Sequence, residues 1–493
     1  MIGIIFLRDC HMDYKWVVLT VTTVGVLMAG IDSRIVIIGL PQVAAALHAD
    51  AGQAIWFTQA YVLGSAVALL LIGRVTDIVG RTKIYTAGFA IFTIGSALTS
   101  IAADPAQFIL WRGLQGLGAA MLFTNSVVMI VDSTPRKELG LSLGINQIAF
   151  RFGAMAGLTI SGLILSFFDW RALFYINIPI GVFGTWWSHR ILKDMGRVEK
   201  GASIDWIGFV AFSASITSLL LALTFGAYGM SELALVYGLL ATSIVTLAYY
   251  VWHERRQQHP LLDFSLLRVR EFTGGVVAQL LNATAWGAFL LLLSFYLELV
   301  LRFSSLEAGI RILPFDIAFL IFGPLSGRLS DKIGHMPFTT AGLVVSSAAL
   351  YLFSTITLAT PFINVTAYMV ALGAGLGMFV SPNMSSVMSS VAEHRRGIAS
   401  GLRATFFQIG MVISLNLAIL IMTFVVPYQT ITHVITSTGT VAITDAERAL
   451  FMQGLSNAYF WLAVINLSAL VPSVLRGKAA PVESKDHIDL FAE

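Results

Sequence analysis

The 493-residue chain has a single cysteine, Cys10, and few charges: Asp, Glu, Lys and Arg together make up 12%. A lone cysteine excludes an intrachain disulfide and a cysteine-based zinc site. Soluble domains carry about 25% charged residues, and half that share cannot cover the surface of a water-soluble protein this large. A soluble enzyme, a nucleic-acid binder and a disordered chain are thereby excluded. No G-x-x-x-x-G-K-[ST] run occurs, which excludes nucleotide binding through a P-loop. His48 and His189 stand near span ends, no His/Glu cluster suggests a metal, and nothing calls for a cofactor. What the sequence has is apolar residues, 57% of the chain, with a mean hydropathy of +0.82. That composition fits a polytopic membrane protein of spanning helices surrounded by lipid.

Fourteen stretches are long and apolar enough to cross a bilayer, which takes about 20 residues each. They run roughly 15–40, 54–72, 84–103, 106–131, 139–166, 172–192, 206–226, 231–252, 272–301, 306–326, 338–359, 362–391, 397–425 and 449–475. The opening MIGIIFL is too short for a secretory signal core, and Met12 is an alternative start. Lys and Arg set the orientation. With the N-terminus inside, inner loops and tails hold 22 of the 30 basic residues, outer loops four, and spans the remaining four, Arg34, Arg112, Arg151 and Arg403. Both termini are therefore expected in the cytoplasm of a cell whose plasma membrane holds the chain. The tail from Arg476 to Glu493 reads as polar and disordered.

Two inner loops repeat. Gly73-Arg74-Val75-Thr76-Asp77-Ile78-Val79-Gly80-Arg81 returns 254 residues later as Gly327-Arg328-Leu329-Ser330-Asp331-Lys332-Ile333-Gly334-His335. Gly140, Gly144 and Gly153 line up with Gly397, Gly401 and Gly410, 257 residues on. The expected architecture is all-α: a six-helix half (12–192), a linker with two extra spans (193–271), a second six-helix half (272–475) and a tail (476–493). Parallel six-helix repeats mark transporters that rock about a midplane site.

At this point the chain resembles the major facilitator superfamily, whose signature between spans two and three looks like Gly73–Arg81. Fourteen spans narrow the resemblance to the fourteen-helix drug:proton antiporter family. Ile31-Asp32-Ser33-Arg34 through Pro41 is similar to that family's first-span motif. Trp111-Arg112-Gly113-Leu114-Gln115-Gly116 matches its fourth-span motif, and Trp170-Arg171 through Gly181 its sixth-span motif. The resemblance implies that the loop residues Gly73, Asp77, Gly80, Arg81 and Asp331 latch the two halves. The bland alternative is a solvated basic turn. In the fifth span Ala149, Gly153, Gly157 and Ser161 stand four apart, a small-residue face that lets another helix approach. The proline that the family places after Gly157 is absent here.

Charges within the bilayer are costly and usually paired or functional. Asp32 and Arg112 both lie roughly 10 Å below the outer boundary at about 1.5 Å per residue. With Gln59 and Gln115 they read as one polar cluster. Its functional reading is a proton site: burial favours the neutral acid and a nearby guanidinium favours the carboxylate. The other reading is a static structural pair. Arg151 lies near the midplane of span five, with Gln408 as its repeat partner. Arg34 stands where the family usually has threonine, and it either meets Asp316 or lines the outer mouth; Arg34, Arg151 and Asp316 are expected to line the substrate cavity with Gln59, Gln115, Asn282 and Trp286. Gln279, Asn282 and Trp286 share a face of span nine and, with Trp56, Phe123 and Phe407, suit an aromatic cavity wall. The expected function is a non-enzymatic, proton-coupled exporter of organic or drug-like compounds. The alternative is an organic-anion or metabolite carrier of the same fold.

Overall fold

The computed structural model describes residues 13–135, 138–193, 205–227, 233–257, 264–391, 396–436 and 444–477. Lipid offers no partner for backbone N–H and C=O groups, so apolar runs of this length settle as helices. The first group is α1 (Tyr14–Ala46), α2 (Ala51–Val79), α3 (Arg81–Ser100), α4 (Pro105–Ser133), α5 (Leu139–Phe167), α6 (Ala172–Tyr175) and α7 (Asn177–Ile191). Next come α8 (Trp206–Ala227) and α9 (Leu233–Glu254). Last are α10 (Arg270–Trp286), α11 (Phe289–Phe295) with a π-helical turn at Tyr296–Val300, α12 (Ser305–Ile333), α13 (His335–Ser354), α14 (Phe362–Ser389), α15 (Arg396–Thr423), α16 (Tyr428–Thr436), α17 (Asp445–Ser468) and α18 (Leu470–Leu475).

Helix ends follow the repeat. Asp50 and Ser304, 254 residues apart, both open their helices with reciprocal capping boxes to Gln53 and Glu307. At the opposite ends of α2 and α12 the chain turns at Gly80 and Gly334, with φ of 106° and 101°. Only glycine takes that region at no steric cost. These two glycines define one end of the molecule, the glycine-turn end; the capped end is the far end.

The packing repeats as well. α1 packs on α5 as α10 packs on α15; α2 and α3 pack on α4 as α12 and α13 pack on α14; α3 meets α7 as α13 meets α17. Glycines make these contacts close. A Cβ on Gly116 would run into the Tyr61 carbonyl, and one on Gly373 into that of Phe315. Gly118 abuts Phe92, and Gly375 abuts Ser346. Gly153 lies against Leu27 and Ile31, and Gly410 against Leu280 and Thr284. Two seams join the halves, α5 with α12 and α15 with α2, and each is the other's counterpart under the repeat. The outer surface carries exposed Ile94, Ile148, Val182, Ile244 and Ile321, as lipid contact requires.

Among the described residues, eleven helices are long and apolar enough to cross a membrane. The other three expected spans fall on α2, α3 and the α6–α7 pair, which is broken at Ile176. Two sequence expectations need correction. The inserted pair, which reads as a lipid-facing spacer because it holds almost no polar residue after Asp205, is more than that: α8 lies over the α2–α15 seam, where Thr224 accepts from the Trp56 indole at 3.0 Å and Leu220 from Asn416 at 3.1 Å. Only α9 is mainly exposed. Arg476 is not tail: its guanidinium is buried and donates to Asn383 and Thr339, both at 2.7 Å. Residues 478–493 lie outside the described residues. The short helix α16 was not foreseen.

Gly116→Val and Gly373→Val should each cost at least about 1–3 kcal/mol by overpacking, seen as lower melting temperatures in detergent. Gly144→Val, where a Cβ meets nothing within 4 Å, should leave the melting temperature within a degree or two of the parent (about 0.5 kcal/mol or less).

Candidate functional site

Asp32 sits at the centre of a cage inside the first half. Its Oδ2 accepts from Arg112 Nη1 at 2.7 Å. Its Oδ1 accepts from Gln115 Nε2 and Asn177 Nδ2, both at 2.8 Å. Arg112 also donates to Gln115 at 2.8 Å and, through Nε, to the Phe57 carbonyl at 3.1 Å. Its guanidinium rests 4.5 Å from the centroid of the Tyr61 ring. Ser96 accepts from Asn177 at 3.1 Å and donates to the Phe174 carbonyl at 3.0 Å. Asp32 is 0% and Arg112 1% exposed. The three side chains hydrogen-bonded to the carboxylate, Arg112, Gln115 and Asn177, all donate to it, the arrangement that suits the ionised form.

The helices arrange this cage through their small residues. Gly116 and Gly64 draw α2 onto α4. Gly30, Gly153 and Gly157 draw α1 onto α5. Ser161, fully buried, continues the stripe, and Gly162 abuts Ser305 of α12. The second half performs the same packing without charge. Ala285, Met369 and Leu372 stand at the repeat positions of Asp32, Arg112 and Gln115, and all three are fully buried.

A second constellation lies between the halves. Arg34 Nη1 donates to both carboxylate oxygens of Asp316, at 2.8 and 2.9 Å. The two side chains are 11% and 12% exposed. Arg151, from α5, lies over the Phe319 ring at 3.9 Å and within electrostatic reach of both members of the pair.

The far end is sealed across the halves. Gln42 donates to Ser305 at 3.2 Å, Ser305 to Glu298 at 2.9 Å, and Ser294 to the Ile37 carbonyl at 3.2 Å. Helix α16 covers the start of α2, where Gly52 N–H donates to Tyr428 Oη at 2.7 Å and Tyr428 donates to Asp50 at 3.0 Å. Toward the glycine-turn end, Gly144 of α5 and its counterpart Gly401 of α15 face open space.

Several expected site residues go elsewhere. Gln59 does not join the Asp32 cage; its amide donates to the Val412 carbonyl of α15, across the other seam. Asn282 lines no cavity: it donates to Asn466 at 2.8 Å, and Asn466 donates to Ser346 and Ser347 within the second half. Trp286 is buried near Phe407, with ring centroids 6.4 Å apart. Trp56 faces α8, and Phe123 pairs with Phe150, so no common aromatic wall forms. Of the loop residues, Gly80 makes the turn and Arg81 forms an ion pair with Asp132 at the end of α4. The side chains of Gly73, Asp77 and Asp331 lie outside the described residues. Asn177 was missed as a cage member although it stands in the sixth-span motif. Phe319 and Asp132 carried no sequence signal beyond their type.

The description Major Facilitator Superfamily belongs to the family model that matches residues 22–415. The riboflavin transporter RibZ of Clostridioides difficile (strain 630) is 30% identical over 80% of this chain and 85% of its own. The tetracenomycin C resistance and export protein of Streptomyces glaucescens is 28% identical, covering 80% and 73%. The multidrug transporter protein MdtP of Bacillus subtilis (strain 168) is 25% identical, covering 82% and 74%. Among solved structures, a bacterial homolog of the human lysosomal transporter Spinster superposes with a TM-score of 0.66 at 14% identity, covering 96% of this chain and 100% of that one. A D-xylose-proton symporter gives 0.64 at 15% identity, covering 95% and 99%.

Arg112→Met alone should leave the Asp32 carboxylate buried without its cation and lower stability by about 3–5 kcal/mol. Denaturant or thermal unfolding of the purified protein measures this, and a loss below about 1 kcal/mol would mean the pair is solvated rather than buried.

Proposed function

We propose a direction and an energy source for this chain, which belongs to the major facilitator superfamily of multi-pass membrane transporters and is not an enzyme. It exports small organic, drug-like compounds by alternating access, driven by protons moving the other way. Asp32 is the coupling carboxylate and Arg112 the group that receives it when the proton leaves. One observation carries this reading: the second half builds the same helix packing with Ala285, Met369 and Leu372. The fold does not require the charges of Asp32 and Arg112, and replacing a buried ion pair by apolar residues is often neutral or stabilising. A costly buried pair that the architecture can do without is best explained by use.

The form of the cage supports the direction. It holds Asp32 by donors alone while the far end is sealed and Gly144 and Gly401 face open space. If the glycine-turn end is cytoplasmic, as the basic loops suggest, this is the state that has delivered its proton inward and awaits substrate. The finer topology belongs to the same reading. It comprises fourteen spans as in the drug:proton antiporters, two six-helix halves at 12–192 and 272–475, an inserted pair within 193–271, and both termini on the cytoplasmic face of the plasma membrane. The relative named as a tetracenomycin C resistance and export protein supports the export direction, and the one named as a multidrug transporter supports the drug-like substrate class. The glycine turns with Arg81, Asp77 and Asp331 act as the latch that changes as the halves rock.

Asp32→Asn keeps the shape of the cage and removes its titration. In proteoliposomes it should abolish substrate accumulation driven by a pH gradient while binding stays within a few-fold. Uphill accumulation with normal pH dependence in that variant would remove Asp32 from the coupling role. Asp77→Asn should slow turnover several-fold at unchanged substrate affinity. A loss confined to affinity would place Asp77 at the substrate instead.

A further inference from the structure

The two seams between the halves are counterparts in packing, yet three matched positions carry charge at one seam and none at the other. At the α5–α12 seam stand Arg34, Arg151 and Asp316. Their repeat positions at the α15–α2 seam are Gly287, Gln408 and Val62. There Gln408 donates to Ser65 at 3.5 Å. Close helix approach therefore does not call for the charges, and the single-seam cluster needs another cause.

Its charges do not balance. Asp316 is fully engaged by Arg34 through both carboxylate oxygens. Among the described residues Arg151 makes no ion pair or hydrogen bond; its guanidinium carbon lies 3.9 Å from the Phe319 ring centroid. Two guanidiniums and one carboxylate leave one positive charge uncompensated between apolar helices, where such charge is expensive. The glycine contacts that draw α1 onto α5 bring both arginines to this place, and Asp316 and Phe319 share a face of α12 at a spacing of three residues. Along α5, Gly144 meets open space, Gln147 is exposed and Arg151 is half-buried. That face runs from the glycine-turn end to the cluster.

We propose that Arg34, Arg151 and Asp316 with Phe319 form a substrate subsite for an aromatic organic monoanion. The anion supplies the missing negative charge, taking Arg151 and sharing Arg34 with Asp316, so that two cations face two anions. Arginine forks suit planar carboxylate or sulfonate groups, and the ring of the ligand stacks with the Phe319–Arg151 pair. The inference deepens the carrier reading and rests on it for substrate access, but equilibrium binding at the cluster does not depend on protons or on direction.

Calorimetry on the purified full-length protein in detergent, with no pH gradient, separates the two. The probes are 2-naphthalenesulfonate and its neutral counterpart 2-naphthalenesulfonamide. The sulfonate should bind at least tenfold more tightly than the sulfonamide. Arg151→Gln should erase that preference. Asp316→Asn, which raises the cluster to two uncompensated cations, should tighten sulfonate binding at least threefold and leave the sulfonamide unchanged. Equal binding of the two probes to the parent protein overturns the proposal, as does an Asp316→Asn variant that binds the sulfonate no better. If Arg151→Gln fails to fold, the gain in Asp316→Asn decides. Sulfonate preference without gradient-driven transport would remove the coupling account and keep the subsite; transport without the preference would do the reverse.

Discussion

The approach of α1 to α5 determines where Asp32, Arg34 and Arg151 end up. Gly30 presses against the Phe150 carbonyl, Gly153 against Leu27 and Ile31, and Gly157 against the Ile31 carbonyl. A side chain at any of these positions would push the helices apart. Asp32 and Arg34, two residues apart on α1, project about 200° from each other. With α1 held against α5, one direction leads into the first half toward Arg112, and the other leads out to the seam with the second half and Asp316. A single helix thus carries one charge of an internal cage and one charge of an inter-half cluster. A rotation or tilt of α1 that relaxes either site must disturb the other, which gives a physical route for coupling between them.

The duplicated architecture supplies its own control. Where the halves agree, as at Gly116 and Gly373 or Gly80 and Gly334, the residues serve the fold. Where they differ, the difference marks what one half does in addition. By that comparison the Asn282–Asn466 network of the second half is a neutral bridge between helices. The Asp32 cage has no apolar necessity behind it, and neither has the charged seam. Helix α8 adds to the asymmetry by lying over the α2–α15 seam and leaving the Arg34–Asp316 seam uncovered.

Much of this was legible in the sequence, for identifiable reasons. The repeat was readable because tight turns and close helix contacts demand glycine at fixed positions. Asp32 and Arg112 were readable because ionisable residues are rare within apolar runs, and equal depth suggested their pairing. Helix facing was harder to read. Gln59 lies at a similar depth but points across the other seam, and Asn282 points into the second half; depth along a span says nothing about direction around it. Asn177 was hidden because an amide near a span end is unremarkable until Ser96 and Asp32 are brought beside it. The break at Ile176 and helix α16 were missed because short apolar segments carry little periodicity.

The central claim is that the fold tolerates the loss of the Asp32 cage while transport does not. Replacing Asp32, Arg112 and Gln115 together by the residues of the second half, Ala, Met and Leu, tests it in one protein. Thermal unfolding and substrate-induced proton flux, read with an entrapped pH dye in proteoliposomes, are measured on the same preparation. The account predicts a melting temperature within a few degrees of the parent (about 1 kcal/mol) and no substrate-induced proton flux. A triple variant that still exchanges protons for substrate would contradict it, as would one that cannot fold.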